Sequence, residues 1–204
     1  MSTPWDDYED VPSRLTDPVD PTRDHIIGPP QPRVTLVEYG DYQCPFCGQA
    51  HQVVAELLQT VGDSVQYVFR HFPLTTVHPH AEGAAEAAEA AGAQGRFWPM
   101  HDTLFTNQRA LAGPHLLTYA QALGLDEPRF VRDLRERVHA PRVRSDFLGG
   151  VRSGVNGTPT FFIDGVRHDG SFDYDVLLAA VQQAMSVGAA EPSGGRHMQS
   201  RWSS

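Results

Sequence analysis

Two neighbouring features most constrain this chain. A seven-residue run rich in β-branched side chains, Arg33–Tyr39 (RVTLVEY), ends five positions before a pair of cysteines spaced i, i+3, Cys44-Pro45-Phe46-Cys47. The run reads as a buried strand. Pro45 suits the first turn of a helix, where a missing N–H costs nothing, so a helix is expected from Cys44 to about Val61. These are the only two cysteines in 204 residues, and random placement would give their spacing in about 1% of chains. Two cysteines also exclude a disulfide-rich scaffold and a four-Cys zinc or iron–sulfur centre within one chain.

The rest of the core follows an α/β pattern. Ser64–Phe72 reads as a second strand. Helical patterns then run through Pro79–Gln94, Trp98–Thr106, Pro114–Leu123, Glu127–Val138 and Arg142–Val151, punctuated by Gly and Pro. Strand character returns at Thr160–Ile163. Asp164-Gly165 is a hairpin dipeptide with Val166–His168 as its second arm, and a last helix is expected to run to about Met185, capped by Ser171 or Asp173. The order is strand–helix–strand, helical insertion, hairpin, helix.

Charge marks off the first 32 residues. They hold seven acids against two bases, which is −5 of the net −9 (16 basic minus 25 acidic), together with many prolines. They read as a partly extended, mostly solvated leader over 1–32, followed by a domain over 33–186 with a helical insertion at about 76–154 and a flexible tail over 187–204. The leader lacks a basic start and an apolar core of signal-peptide length, and no stretch of some 20 apolar residues occurs, so a cytoplasmic location without a membrane span is expected. The acidic balance argues against nucleic acid as a partner. All 16 basic residues are Arg, which removes lysine Schiff-base chemistry and a Walker-type phosphate lysine.

The chemistry concentrates at the cysteines. At a helix N-terminus, free N–H groups and the macrodipole favour an anion, so Cys44 is expected to be a low-pKa nucleophile. Cys47, one turn on, is placed to act as the resolving thiol. Glu38 stands six residues before Cys44 within the strand. Either it lies on an exposed face of an edge strand, or it is buried with a raised pKa and exchanges a proton with Cys47. Gly157-Thr158-Pro159-Thr160 precedes the returning strand. Pro159 fits an ordinary trans turn, or a cis bond that turns the Thr158 backbone toward the cysteines and offers it to an extended substrate.

The strings DHIIGP, VTLVEYGDYQCPFC, YVFRHFPL, HPHAEGAAEAAEAAGAQGRFWPMHDTLF and GVNGTPTFFIDGVRHDG together resemble DsbA-like members of the thioredoxin superfamily. They are most similar to the thioredoxin-like domain fused to some bacterial sodium/proton antiporters. The resemblance runs from about Asp20 to Met185. It implies a thioredoxin-like α/β fold with an all-helical insertion and a protein disulfide oxidoreductase activity. It also implies Cys44 as attacking thiol, Cys47 as resolving thiol, Glu38 as buried acid and Pro159 as a cis-proline facing them. Thr158, Pro45 and Phe46 would line the substrate. The implied partners are protein thiols or disulfides and a redox partner that recharges the pair, with no cofactor beyond the cysteines. No antiporter portion is present, so no transport is expected. Two departures stand out. Phe46 replaces the His of typical periplasmic relatives and cannot donate a hydrogen bond, so a smaller pKa depression and a less oxidising pair are expected. Thr158 stands where that relative has Val.

Other features have plainer readings. His71, His78, His80 and His101 could join the cysteines in a zinc site, but they read as capping, loop and core residues, and no metal is expected. Glu82, Glu86 and Glu89 read as a solvated helix face. Arg132, Arg135, Arg137, Arg142 and Arg144, interleaved with acids, read likewise. Two rival functions remain: a thiol-cofactor-dependent transferase or isomerase on the same fold, and a non-enzymatic metal-binding or chaperone-like module.

Overall fold

A computed structural model describes residues 13–188. Its strands are β1 (His25–Ile27), β2 (Val34–Gly40), β3 (Val65–His71), β4 (Thr160–Ile163) and β5 (Val166–His168). Its helices are α1 (Pro45–Val61), α2 (Ala81–Gly92), α3 (Phe97–Thr106), α4 (Gly113–Ala122), α5 (Glu127–Arg135), α6 (Ala140–Arg152) and α7 (Tyr174–Gly188). The sheet order is β1-β3-β2-β4-β5. β2 and β3 are parallel, joined through α1, and the other neighbours are antiparallel. Helices α2–α6 are inserted between β3 and β4. Among the described residues, no helix is long and apolar enough to cross a membrane.

Local chemistry accounts for most element ends. Proline occupies the first or second position of α1, α4, α5 and α6, where its fixed φ is already helical. Asp126 caps α5 by accepting from the Arg129 N–H at 2.9 Å, as N-cap acids do. Asp164 and Gly165 both take positive φ in the β4–β5 hairpin, as a two-residue turn of this hand requires.

Both faces of the sheet are buried. Leu36, Tyr67, Phe69, Phe161 and Ile163 pack with Ala50, Val54 and Leu57 of α1, Leu177 and Val181 of α7, and the insertion. On the opposite face, Val37, Tyr39, Val68, Phe72 and Phe162 are covered by Val155, Phe147, Ile26 and the apolar residues Leu15 and Val19.

Over 13–32 that second layer corrects the boundary of the expected leader, although most side chains there stay exposed or half-buried. Residues 13–32 belong to the fold. β1 pairs with β3, with His25 opposite Phe69, and Arg14 bridges Val166. Asp24 is buried against Arg70, whose Nε and Nη2 donate to its two carboxylate oxygens at 3.1 and 2.7 Å. The reason is that a parallel β2–β3 pair needs cover on both faces, and this segment supplies it. Residues 1–12 and 189–204 lie outside the described residues, and with them all but the first two positions of the tail expected over 187–204; α7 runs to Gly188.

The insertion corrects two more expectations. α2 is its central helix, with Ala84, Ala85, Ala87, Ala88, Ala90 and Ala91 buried. Glu86 and Glu89 are buried as well. Glu86 accepts from Arg137 Nε and Nη2 at 3.1 and 2.7 Å. Glu89 lies 2.8 Å from the Nε2 atoms of both His25 and His71, and these imidazoles hold its carboxyl well below the usual range against the opposing effect of burial. Arg142 is largely buried among Asp24, Glu89 and Asp146. Glu86, Glu89 and Arg142 are thus paired internal charges, while Arg132, Arg135, Arg137 and Arg144 are exposed, as expected of a solvated face.

Candidate active site

The site forms where the end of β2, the N-terminus of α1 and the approach to β4 meet. Cys44 is the N-cap of α1, with extended backbone (φ −71°, ψ 121°) and Pro45 directly after it. Both cysteines are free thiols. Cys47 is fully enclosed, whereas Cys44 keeps 4% of its surface exposed. Pro45 and Phe46 project beside it, Phe46 with 57% of its surface open. The Thr158–Pro159 bond is cis. The Thr158 carbonyl accepts from the Cys44 thiol, with Sγ 3.4 Å away.

The two thiols are electrostatically unlike. The Cys47 thiol donates to the Cys44 sulfur and, with the Thr158 hydroxyl and the N–H groups of Cys47 and Phe46, draws the Cys44 pKa down to about 5 against the effect of burial. Those backbone donors are the helix N-terminal groups that stabilise an anion. Burial, the bond to Cys44 and nearby Glu38 push Cys47 well above the ordinary thiol range. Thr158 Oγ1 is buried and makes no hydrogen bond within the fold, which leaves the Cys44 sulfur as the group it can serve. Thr158→Val is therefore expected to raise the Cys44 pKa by about one pH unit, the worth of a hydrogen bond to a charged group. Thiolate absorbance against pH reads this directly, and an unchanged titration would remove Thr158 from the account.

Glu38 sits on central strand β2 with 1% of its surface exposed, not on an edge strand. Tyr67 Oη donates to its Oε2 at 2.7 Å, while Oε1 is buried without a partner. Burial, with a smaller contribution from the charge of Cys44, raises its pKa to about 7 in spite of the Tyr67 hydrogen bond. Gly40, two residues on, has no room for a side chain. A Cβ there would lie 2.4 Å from the Phe69 ring and 3.1 Å from Glu38 Oε1.

Sequence reasoning missed two residues that hold the loop between β2 and α1. Asp41 is buried, and its Oδ1 accepts from the N–H groups of Gln43 (2.7 Å) and Cys44 (3.2 Å). Its Oδ2 accepts from Leu74 N–H and lies at 2.8 Å from His78 Nδ1. Its own N–H points to Cys47 Sγ at 3.4 Å. An Asp two residues before a turn N–H is an Asx-turn signal, so this role was partly legible. Gln108 was not: from beyond α3 its Nε2 donates to the carbonyls of Tyr42 (3.0 Å) and Cys44 (2.7 Å). Of the histidines once grouped with the cysteines, His71 joins Glu89, His78 joins Asp41, and His101 Nδ1 lies 3.0 Å from the Tyr42 hydroxyl. His80 precedes α2, its N–H donating to Gln43 Oε1.

Known proteins share this architecture. The chain is 51% identical over 179 residues to a sodium/proton antiporter, NhaA 1 of Salinispora arenicola, a match covering 88% of this chain and 27% of that protein. It is 46% identical over 178 residues to an NhaA 1 antiporter of Mycobacterium sp. (strain KMS), covering 85% and 29%. The chain thus spans under a third of these relatives' length. Among solved structures, oxidised BdbD from Bacillus subtilis matches with a TM-score of 0.75 at 21% identity, covering 86% of this chain and 98% of that one. A thioredoxin-like oxidoreductase from Silicibacter pomeroyi matches at 0.67 with 28% identity, covering 85% and 96%. Wolbachia pipientis alpha-DsbA1 matches at 0.71 with 19% identity, covering 86% and 96%. A family model described as Thioredoxin covers residues 21–183. With a thiol pair at the head of α1, a cis-proline opposite it and five helices set into the sheet's connection, the chain belongs to the thioredoxin family and has its DsbA-like fold.

Proposed function

We propose that the chain is a thiol–disulfide oxidoreductase that exchanges disulfides with protein substrates through Cys44 and Cys47. The observation that carries this reading is the division within the pair: an edge thiol with a pKa near 5 beside an enclosed thiol held far higher. Only the first is a thiolate at neutral pH and able to meet a substrate.

In the oxidising direction a substrate thiolate attacks Cys44 Sγ of the internal disulfide. The new S–S bond forms as the Cys44–Cys47 bond breaks, and Cys47 leaves with the electron pair. Its high pKa calls for a proton, which Glu38, half-protonated near neutrality, supplies. A second substrate thiolate attacks the substrate sulfur of the mixed disulfide and expels Cys44 as a stable thiolate. Two electrons have passed from two substrate thiols to the pair. A separate thiol–disulfide partner must take them to recharge it. Exposed Pro45 and Phe46 offer an apolar contact, and the Thr158–Pro159 backbone an edge for an extended segment. The antiporter name stays with relatives of which this chain matches under a third.

Stabilising the Cys44 thiolate favours the reduced state, so the pair acts as an oxidant. Its equilibrium potential in glutathione buffers, read by alkylation and mass spectrometry, is expected to lie above the roughly −270 mV of a reductive thioredoxin. Failure to form an internal disulfide in any buffer would overturn the proposal.

The Glu38 role has its own signature. A carboxyl raised from 4.5 to about 7 on folding costs nothing below pH 4.5, where both states are protonated. The reduced protein then loses stability as pH rises through that interval, by about 3 kcal/mol once above 7. Glu38→Gln removes the titration. The variant is expected to match the parent at pH 4, to exceed it at pH 8, and to slow Cys47 turnover. A denaturation gap independent of pH would count against the buried proton carrier.

A further inference from the structure

Beyond the thiol pair lies a side-chain group that the chemistry above does not use. His51 is on α1, four residues past Cys47, and His101 and Asp102 are on α3 of the insertion. His51 Nε2 lies 3.5 Å from Asp102 Oδ1. One ligating atom from each of the three residues falls within 4.8 Å of the other two. We propose that His51, His101 and Asp102 form a binding site for a divalent cation of the zinc type, which clamps α1 to the helical insertion.

Three observations carry this. The first is spacing. Ligands about 2.0–2.1 Å from a tetrahedral zinc stand about 3.3–3.4 Å apart, and the His51–Asp102 pair is already near that edge length. The second is the support behind the ligands. His101 is buried against the rings of Phe69, Trp98 and Phe105. The His51 ring stacks on Phe105 at 4.9 Å and 24°. Tyr42 Oη at 3.0 Å from His101 Nδ1 can accept that nitrogen's proton, which leaves Nε2 with its lone pair; ligating histidines are oriented by such outer partners. The third is charge. Asp102 brings one negative charge beside the two imidazoles. Two neutral imidazoles and a carboxylate suit zinc, cobalt, nickel or copper(II) rather than calcium or magnesium, which take oxygen ligands. With three protein ligands, the fourth position is left to water. Because the ligands come from two segments, binding ties the helix that carries the cysteines to the insertion and stabilises the folded state by mass action.

The test uses the full chain with Cys44→Ser and Cys47→Ser, so that no thiol can take the metal. Cobalt(II) serves as the visible probe and zinc as its competitor. One cobalt per chain is expected, with the strong visible bands of four-coordination, released by one equivalent of zinc, and the melting temperature is expected to rise with metal. His51→Phe, which keeps a ring stacked on Phe105, and Asp102→Ala should each weaken cobalt binding tenfold or more with circular dichroism unchanged. Should His51→Phe not fold, Asp102→Ala at an exposed position still decides the matter. Absence of saturable binding, or equal affinity in the two ligand variants and their parent, would overturn the proposal.

Discussion

Cys44→Ser is expected to reduce disulfide exchange to the uncatalysed rate, while Cys47→Ser is expected to accumulate mixed disulfides with substrate. The asymmetry follows from the site. Cys44 alone combines an open edge with a thiolate stabilised by the Cys47 thiol, the Thr158 hydroxyl and the α1 N–H groups. A serine hydroxyl there remains protonated and is a poor nucleophile. Cys47 lies enclosed behind it and meets only a sulfur already attached to Cys44. Its advantage is proximity: well-oriented intramolecular attack is equivalent to a thiol concentration of about 10⁵ M or more. Without Cys47, external thiols at millimolar levels must resolve the adduct, and it persists. Non-reducing gels and intact-mass measurement of the two variants, incubated with a disulfide-bonded protein, read both outcomes. Full activity in Cys44→Ser, or adducts on Cys47 in that variant, would sink the mechanism.

The largest stability effect is expected at Arg70. Its guanidinium is fully buried on β3. Besides the two bonds to Asp24, its Nη1 donates to the Asp17 carbonyl at 2.8 Å and to Tyr39 Oη at 3.2 Å, and its Nη2 to the Pro18 carbonyl at 3.0 Å. One side chain thus fastens residues 17–24 to the sheet. Arg70→Met takes the closest cation from the buried Asp24 carboxylate, which keeps the Asp20 N–H and the more distant Arg23 and Arg142, and takes this donor from two carbonyls. Breaking a buried pair on one side costs about 3–5 kcal/mol, which for a chain of this size lowers the melting temperature by about 6–20 °C. Replacing both partners, as Arg70→Met with Asp24→Leu, should recover much of the loss, because an apolar pair leaves no orphaned charge. Burial pushes the Asp24 carboxyl up, but the Arg70 hydrogen bond, the Asp20 N–H and the charges of Arg70 and Arg23 together outweigh it and lower its pKa. The pair's contribution is therefore present above the ordinary carboxylate range and lost as pH falls through the lowered value. If Arg70→Met melts within a degree of the parent, residues 17–24 are not fastened this way.

Much of the fold could be read locally. The β-branched run at Arg33–Tyr39, Pro45 at the start of α1 and Asp164-Gly165 between β4 and β5 each carry their own conformational reason. β2, α1 and the hairpin lie within a residue or two of expectation. The CxxC at a strand–helix junction placed the chemistry by the same logic. Glu38 was legible in part: an acid amid apolar strand residues asks for an explanation, though two were open.

What failed was the fate of charge. β1 is three residues long, too short for periodicity to register, and acids surround it in sequence. Glu82, Glu86 and Glu89 share one side of α2 and look solvated. The Gln108 contact with Cys44 spans 64 positions. In each case the partner lies far along the chain: Arg70 for Asp24, Arg137 for Glu86, His25 and His71 for Glu89. Short-range chemistry set where the helices and all strands but β1 begin and where the thiol pair lies, because φ preferences, missing N–H groups and side-chain alternation act over a few residues. Only the tertiary structure decided which charges are buried and which histidines share a site, because desolvation and pairing depend on the distant segments that pack over them.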